Sequence, residues 1–391
     1  MSAATDSTRT DKSYLREGIY DADSHIMEPV DWLEKHADPS LVEKLADMPI
    51  KSVGGIVGKM VALSEAGAHP PEVAKALEEN ILSGPKAYTA LGAFNSSERS
   101  RTLDILNIAG QLQFTTFSSF QFIRSKDDDV LYGGLRAHNK AMAAWCAQDE
   151  RLHGCATTVF RDEQRGHQEA KWAIENGCRA ILTPTAPFGD KSPAHPDFDG
   201  LWRLLVETRT PFILHIGLHS IREGYNNNGR KRDMSFVGSG EGITAKDIPI
   251  VHHWPEQFMT AMIIDGVLER FPALKIGIIE YGADWMPSFM RRLDHAAHAF
   301  RKSEQHLLEM KRKPSEQIID QVRVTPYVFE DVGRMIRDSS DRIYMFSTDY
   351  PHIEGGKDPI GRMDSTLEGI SEASKRRYFR ENYQDLFYGK C

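Results

Sequence analysis

Cysteine is scarce in this chain: there are four, Cys146, Cys155, Cys178 and Cys391, and none are spaced as C-x-x-C. A chain of 391 residues can bury a sufficient core without cross-links. The cysteine pattern therefore argues against a disulfide framework and against a thiolate zinc site, and a reducing, cytoplasmic setting is expected. Long apolar runs are also missing. None reaches the roughly 18 residues of a membrane span, and the opening MSAATDSTRTDKSYLREG has no apolar signal core, so 1–17 read as a loose polar arm. Positive charge is in deficit, 48 Lys and Arg against 56 Asp and Glu, for a net charge of −8. That excludes the basic footprint of a nucleic-acid binder. Internal repeats, heptads and low-complexity stretches are lacking as well.

What the sequence does have is alternation. β-rich runs at 18–24, 111–117, 152–159, 178–183, 211–216, 274–280, 322–329 and 341–347 are separated by helical patterns near 98–107, 129–149, 163–176, 199–208, 256–270, 284–311 and 330–338, and a last helical region covers 365–386. Strands alternating with helices predict parallel βαβ units. A doubly wound sheet would want a Gly-rich turn after its first strand, and here that strand ends in Asp23 and His25 instead. The expected fold is thus an α/β (β/α)₈ TIM barrel, one domain over 18–391, with long insertions after the first strand (26–97) and the fifth (217–253). Both would leave the C-terminal ends of strands, where barrel active sites are built, and they read as lids or substrate walls.

Four strand ends carry titratable residues. In Asp21-Ala22-Asp23-Ser24-His25, side-chain alternation puts Asp21, Asp23 and His25 on one face. His215 interrupts the apolar PFILHIG, Glu280 ends KIGIIE, and Asp349 ends RIYMFSTD. Singly, each has an ordinary structural reading: a polar strand tip, a core histidine bonded to a carbonyl, a turn cap. Jointly, two imidazoles and two carboxylates at one rim suit Zn²⁺, Mn²⁺ or Fe²⁺ with positions open for substrate. The fourth strand runs into ILTPTAP without a lysine, so a single metal is expected.

These residues resemble the amidohydrolase superfamily, in its amidohydrolase-related branch with the aminocarboxymuconate-semialdehyde and resorcylate decarboxylases. The resemblance spans about 19–388 and rests on the H-x-H-like first strand, the fifth-strand histidine and the S-D-Y-P-H-like STDYPH. It implies a divalent metal, usually zinc, held by Asp23, His25, His215 and Asp349. The chain departs from the family in reading Asp-Ser-His on the first strand, His-Ile-Gly on the fifth, and Glu280 where a histidine is common. The leading functional expectation is a hydrolase of a small amide, ester, thioester, lactone or vinylogous ketone, acting through a metal-activated water with Asp349 or Glu280 as base. The alternative is a non-oxidative decarboxylase of an aromatic or unsaturated acid, with Arg222, Arg230 or Arg232 as partner of the substrate carboxylate. A third reading is a barrel that binds metal or ligand without turnover.

His352 and Glu354 follow Asp349 closely enough to hold it, and His219, His252 and His253 sit in or beside the second insertion. Trp32, Phe94, Tyr225, Phe236, Trp254 and Trp285 either form an aromatic substrate wall or pack the insertions down. Val57, Met60, Val61, Leu63, Ile81 and Leu82 give the first insertion apolar surface, from which a homodimer is expected.

Overall fold

Parallel strands β1 (Ile19–Ile26), β2 (Ile108–Thr115), β3 (Leu152–Thr157), β4 (Ala180–Leu182), β5 (Phe212–His215), β6 (Ile276–Ile279) and β7 (Val322–Val324) pair in chain order in one seven-stranded sheet. The structure, a computed structural model, describes residues 12–46, 62–217, 225, 229 and 245–389. Every residue of β3, β5, β6 and β7 is buried. That is why β5 and β6 read as nearly continuous apolar runs rather than as polar–apolar alternation: helices cover a parallel sheet.

Helices follow the strands: α1 (Ser96–Leu106), α2 (Asp128–Cys146), α3 (Glu163–Glu175), α4 (Asp199–Thr208), α5 (His253–Ile264), α6 (Met286–Phe300), α7 (Pro314–Gln321) and α8 (Val332–Asp338). Their starts carry side-chain caps where the sequence supplies them. Asn95, Asp127 and Asp162 each accept from an amide of the first turn. After α8 come α9 (Pro359–Thr366) and, past a short π-helical stretch at Arg377–Glu381, α10 (Asn382–Tyr388).

The predicted eighth strand is where expectation and structure differ. Residues 341–347 do not form a regular strand. Tyr344 bridges Val324 of β7 and Tyr350 bridges Ser24 of β1. Met345 N donates to Val324 O at 2.9 Å, Ala22 N to Phe346 O at 3.0 Å and Asp349 N to Asp23 O at 2.9 Å. Segment 343–350 is thus bonded to both edges of the sheet. It falls short of a strand because Phe346 N is diverted to Tyr378 O and Asp349 turns left-handed, with φ of 53°. β7 also stops at Val324, short of the predicted 329.

Ala22, Leu112, Cys155, Ala180, Ile213 and Met345 make a common apolar interior with Tyr383, Leu386 and Phe387 of α10, so the last helix plugs one end of the sheet. The aromatic residues of the first insertion that are described pack inward: Trp32 stands edge-on to Trp145 at 6.0 Å and Phe94 lies 5.1 Å from His69. Cys146, Cys155 and Cys178 are free and buried. Among the described residues no helix is long and apolar enough to cross a membrane.

Candidate metal centre

The site begins with an irregularity in β1. Asp21 pairs with Gln111 of β2 and Ser24 with Gln113, so β1 takes one residue more than its neighbour between these points. Such a bulge breaks the period of two. It corrects the expectation that Asp21 shares a face with Asp23 and His25. Asp21 turns away with Gln111, accepting from Gln111 Nε2 at 2.7 Å, Thr348 Oγ1 at 2.6 Å and Thr348 N at 2.8 Å. Burial pushes its carboxyl up to about 7 against these bonds. Asp23 and His25 face inward.

There they meet His215 and Glu280, each ligand atom within 4.8 Å of the others, all four residues buried. His25 Nε2 and His215 Nε2 both stand 3.4 Å from Asp23 Oδ1, and His215 Nε2 stands 3.4 Å from Glu280 Oε2. Hydrogen bonds of this kind settle shorter. Donors around a cation with bonds of ~2.1 Å in tetrahedral array lie about 3.4 Å apart. On the other side of His25, Asp349 Oδ1 is 3.6 Å from His25 Nε2 and 3.1 Å from His352 Nδ1. His25 Nε2, which faces the cluster, and Asp349 Oδ1 are buried without a hydrogen-bond partner among the described residues. A buried group left so is costly, and a cation would satisfy both atoms. The donor set therefore fits a divalent metal.

The surroundings orient these side chains. His215 Nδ1 donates to Ile216 O at 2.7 Å, which turns Nε2 toward the cluster. Burial first, then the neighbouring His352 and His215, hold His25 well below the usual histidine range, in the neutral form a metal needs. Thr116 Oγ1 donates to Ile26 O at 2.9 Å and keeps a lone pair for His352 Nε2 at 3.0 Å. His352 Nδ1 is then the atom facing Asp349 Oδ1, 3.1 Å away. Glu280 and Asp349 both sit at positive φ, 60° and 53°, a strained backbone that clusters at functional sites.

Beside His215 lies a cavity of about 50 Å³, walled by Phe114, Phe120, Ile123 and Leu182 with Thr116 and Ser119 among its polar groups. The Phe114 ring centroid is 4.1 Å from that of His215.

An amidohydrolase family model matches residues 121–387. The chain belongs to the amidohydrolase family. No curated protein sequence matches it. Similar solved structures include an amidohydrolase from Mycobacterium avium subsp. paratuberculosis K-10, at TM-score 0.68 and 20% identity over 95% of this chain and 99% of that one. A 5-carboxyvanillate decarboxylase from Novosphingobium aromaticivorans DSM 12444, complexed with manganese and 4-hydroxy-3-methoxy-5-nitrobenzoic acid, gives 0.60 and 17% over 94% and 95%. A dihydroxybenzoic acid decarboxylase from Polaromonas sp. JS666, with manganese and 2-nitroresorcinol, gives 0.57 and 17% over 95% and 96%.

Of the residues singled out in this amidohydrolase from sequence, Asp23, His25, His215, Glu280, Asp349 and His352 come together. Glu354 stays exposed on the same turn; its carboxyl is raised by the protein packed around it and then by the charge of Asp349. His252 lies flat against Trp285, with centroids 5.9 Å apart, rather than in the cluster. His219, Arg222, Arg230, Arg232, Phe236, Val57, Met60 and Val61 lie outside the described residues. Sequence reading missed Arg99, whose buried guanidinium donates to His25 O at 2.6 Å and Gly92 O at 2.8 Å. It missed Glu28, whose buried carboxylate accepts from Thr116, Phe117 and Ser118 amides at 2.8–3.1 Å. It also missed Lys86, half-buried over the Tyr350 ring at 5.1 Å and within the field of Asp349. The only sequence signal for Glu28 was its place just past β1; Arg99 and Lys86 gave none, since both act across the fold.

Proposed function

We propose that this enzyme is a divalent-metal-dependent, non-oxidative decarboxylase of an aromatic or unsaturated carboxylic acid. It is read as one domain over 18–391, a (β/α)₈ barrel in which segment 343–350 takes the place of the eighth strand. The observation that carries the reading is the wall beside His215: an aromatic and aliphatic lining with a few hydroxyls suits a flat ring bearing a carboxylate. The likeness to decarboxylases holding manganese and nitroaromatic ligands supports the same chemistry. The hydrolase reading, which leads on sequence alone, becomes the second.

Asp23, His25, His215 and Asp349 would hold the cation, with Glu280 Oε2 also in reach, 3.4 Å from His215 Nε2. When bound, the cation supplies a Lewis acid that draws in the substrate carboxylate and the oxygen beside it. Manganese suits a set this rich in carboxylate better than zinc does. The carbon–carboxylate bond breaks, its electron pair stays on the ring carbon, that carbon takes a proton, and carbon dioxide leaves. The Asp349–His352 pair is the proton carrier, backed by Thr116. Phe114 and Phe120 set the plane of the ring and keep water from the carbanionic carbon. Lys86 is placed to balance charge near Asp349.

The test is turnover of a panel of hydroxybenzoates and activated esters in labelled water. Carbon dioxide release with solvent deuterium at the vacated carbon is expected. Oxygen-18 entering a carboxylate product would sink the decarboxylase reading and restore the hydrolase. The enzyme is also read as a homodimer, which light scattering at micromolar concentration would refute by finding a monomer.

A further inference from the structure

A second cavity, of about 510 Å³, lies away from the metal centre, with Arg323, Arg342, Arg377 and Arg380 on its wall against the carboxylates of Glu381 and Asp385. Arg380 Nη1 donates to Gly18 O at 3.0 Å, just ahead of β1, and Arg342 precedes segment 343–350. The cavity is therefore at the N-terminal ends of the strands, opposite the rim that bears Asp23, His25 and Asp349.

The local acids do not fully absorb these guanidiniums. Asp385 Oδ2 is shared between Arg323 and Lys275. Asp320 is shared between Arg342 at 3.1 Å and Arg312 at 4.0 Å. Arg377 meets Asp341 at 3.5 Å. Arg380 is anchored by main-chain carbonyls and by the face of Tyr20 at 5.3 Å, with no carboxylate partner among the described residues. Arg323 is 1% exposed, and its Nε is buried without a hydrogen-bond partner among the described residues. Arg377, Arg380 and Glu381 belong to the π-helical stretch, a rare conformation that recurs at functional sites. Holding four guanidiniums around one space costs electrostatic energy unless an anion joins them, and guanidinium forks match the oxygens of phosphate.

We propose that this cavity binds a compact multivalent oxyanion of the phosphate class, with Arg377 and Arg380 as its principal ligands. The site is independent of the metal centre and of the reaction proposed there. Because its walls come from α10 and from the stretch leading into segment 343–350, the bound anion ties the plug of the interior to the closing segment.

Calorimetric titration of the full-length, metal-loaded protein with inorganic phosphate in chloride buffer tests this. Saturable binding with Kd below about 1 mM is expected, weakened roughly tenfold or more by Arg377→Ala and by Gln384→Glu. The first variant removes a ligand that otherwise makes only a half-exposed ion pair. The second adds a carboxylate to the wall at the loss of one bond, Gln384 Nε2 to Tyr20 OH at 3.2 Å, and decides the matter if the first unfolds. Absence of saturable binding, or binding that both variants leave unchanged, overturns the proposal.

Discussion

Glu280 and Asp349 are held at φ of 60° and 53°, where a side chain costs on the order of 1 kcal/mol or more. The neighbours that enforce this are visible. Glu280 N donates to Thr325 Oγ1 at 2.9 Å and Tyr327 OH donates to Glu280 O at 2.9 Å. Asp349 N reaches Asp23 O at 2.9 Å. Removing a carboxylate charge here should act on chemistry rather than on folding. Asp349→Asn is expected to lose turnover by roughly 10²- to 10⁴-fold; a near-normal rate would show that the proton travels another way. His215→Ala should lose the metal while the far-ultraviolet dichroism stays intact. Glu280→Gln should lose both metal and rate, because Glu280 Oε2 stands as close to His215 Nε2 as Asp23 does. Full metal content in that variant would place Glu280 off the cation.

At the scale of elements, α1 is fastened to the end of β1 by one residue. Arg99 Nε donates to Gly92 O and Nη2 to His25 O, and burial brings its guanidinium down to about 10. Gly92 makes this possible: its φ is +70°, and a Cβ there would stand 2.5 Å from Arg99 Cα. Gly92→Ala is expected to destabilise by upward of about 2 kcal/mol, read as a drop in the denaturation midpoint. An unchanged midpoint would mean that the loop can move aside freely. The bulge in β1 belongs to this scale too. Alternation alone predicted one shared face for Asp21, Asp23 and His25. The register against β2, some ninety residues on, decides otherwise by inserting one residue, and no local pattern marks it.

Across the whole molecule, burial of neutral histidines makes stability depend on pH. His138 lies between Ser118 and Thr157, and burial takes it down to about 4. His153, bonded to Tyr383 OH at 2.8 Å, is also taken down to about 4, by burial and then Arg179. A histidine whose folded value is depressed contributes stability that is complete above its unfolded value and lost as pH falls toward the folded value. The window is therefore pH 6.5 down to about 4, and His138 alone accounts for about 3 kcal/mol across it. The raised carboxyls of Asp21 and Glu330 act with the opposite sign over the same window, so the contribution of His138 is read by difference: acidification should lower the melting temperature less in His138→Gln than in the unaltered chain. An equal slope in the variant would remove His138 as a cause. Metal acts on the same balance: free Mn²⁺ at a hundredfold excess over Kd should add about 2.7 kcal/mol, seen as a rise in melting temperature that chelator reverses. No rise with manganese, zinc or iron would argue against the centre.

By itself the sequence determined the parallel βαβ order, because strands buried on both faces are largely apolar and the helices between them amphipathic. It also pointed to the residues that gather at the rim, because Asp23, His25, His215, Glu280 and Asp349 interrupt or end apolar strands, where a titratable residue needs a partner. Only the tertiary structure decided the rest. The bulge that turns Asp21 out, the irregular segment 343–350 that bonds to both sheet edges, the Arg99 clamp and the arginine-lined cavity all join residues far apart in the chain. Such contacts depend on register and on packing in three dimensions, which local periodicity does not encode.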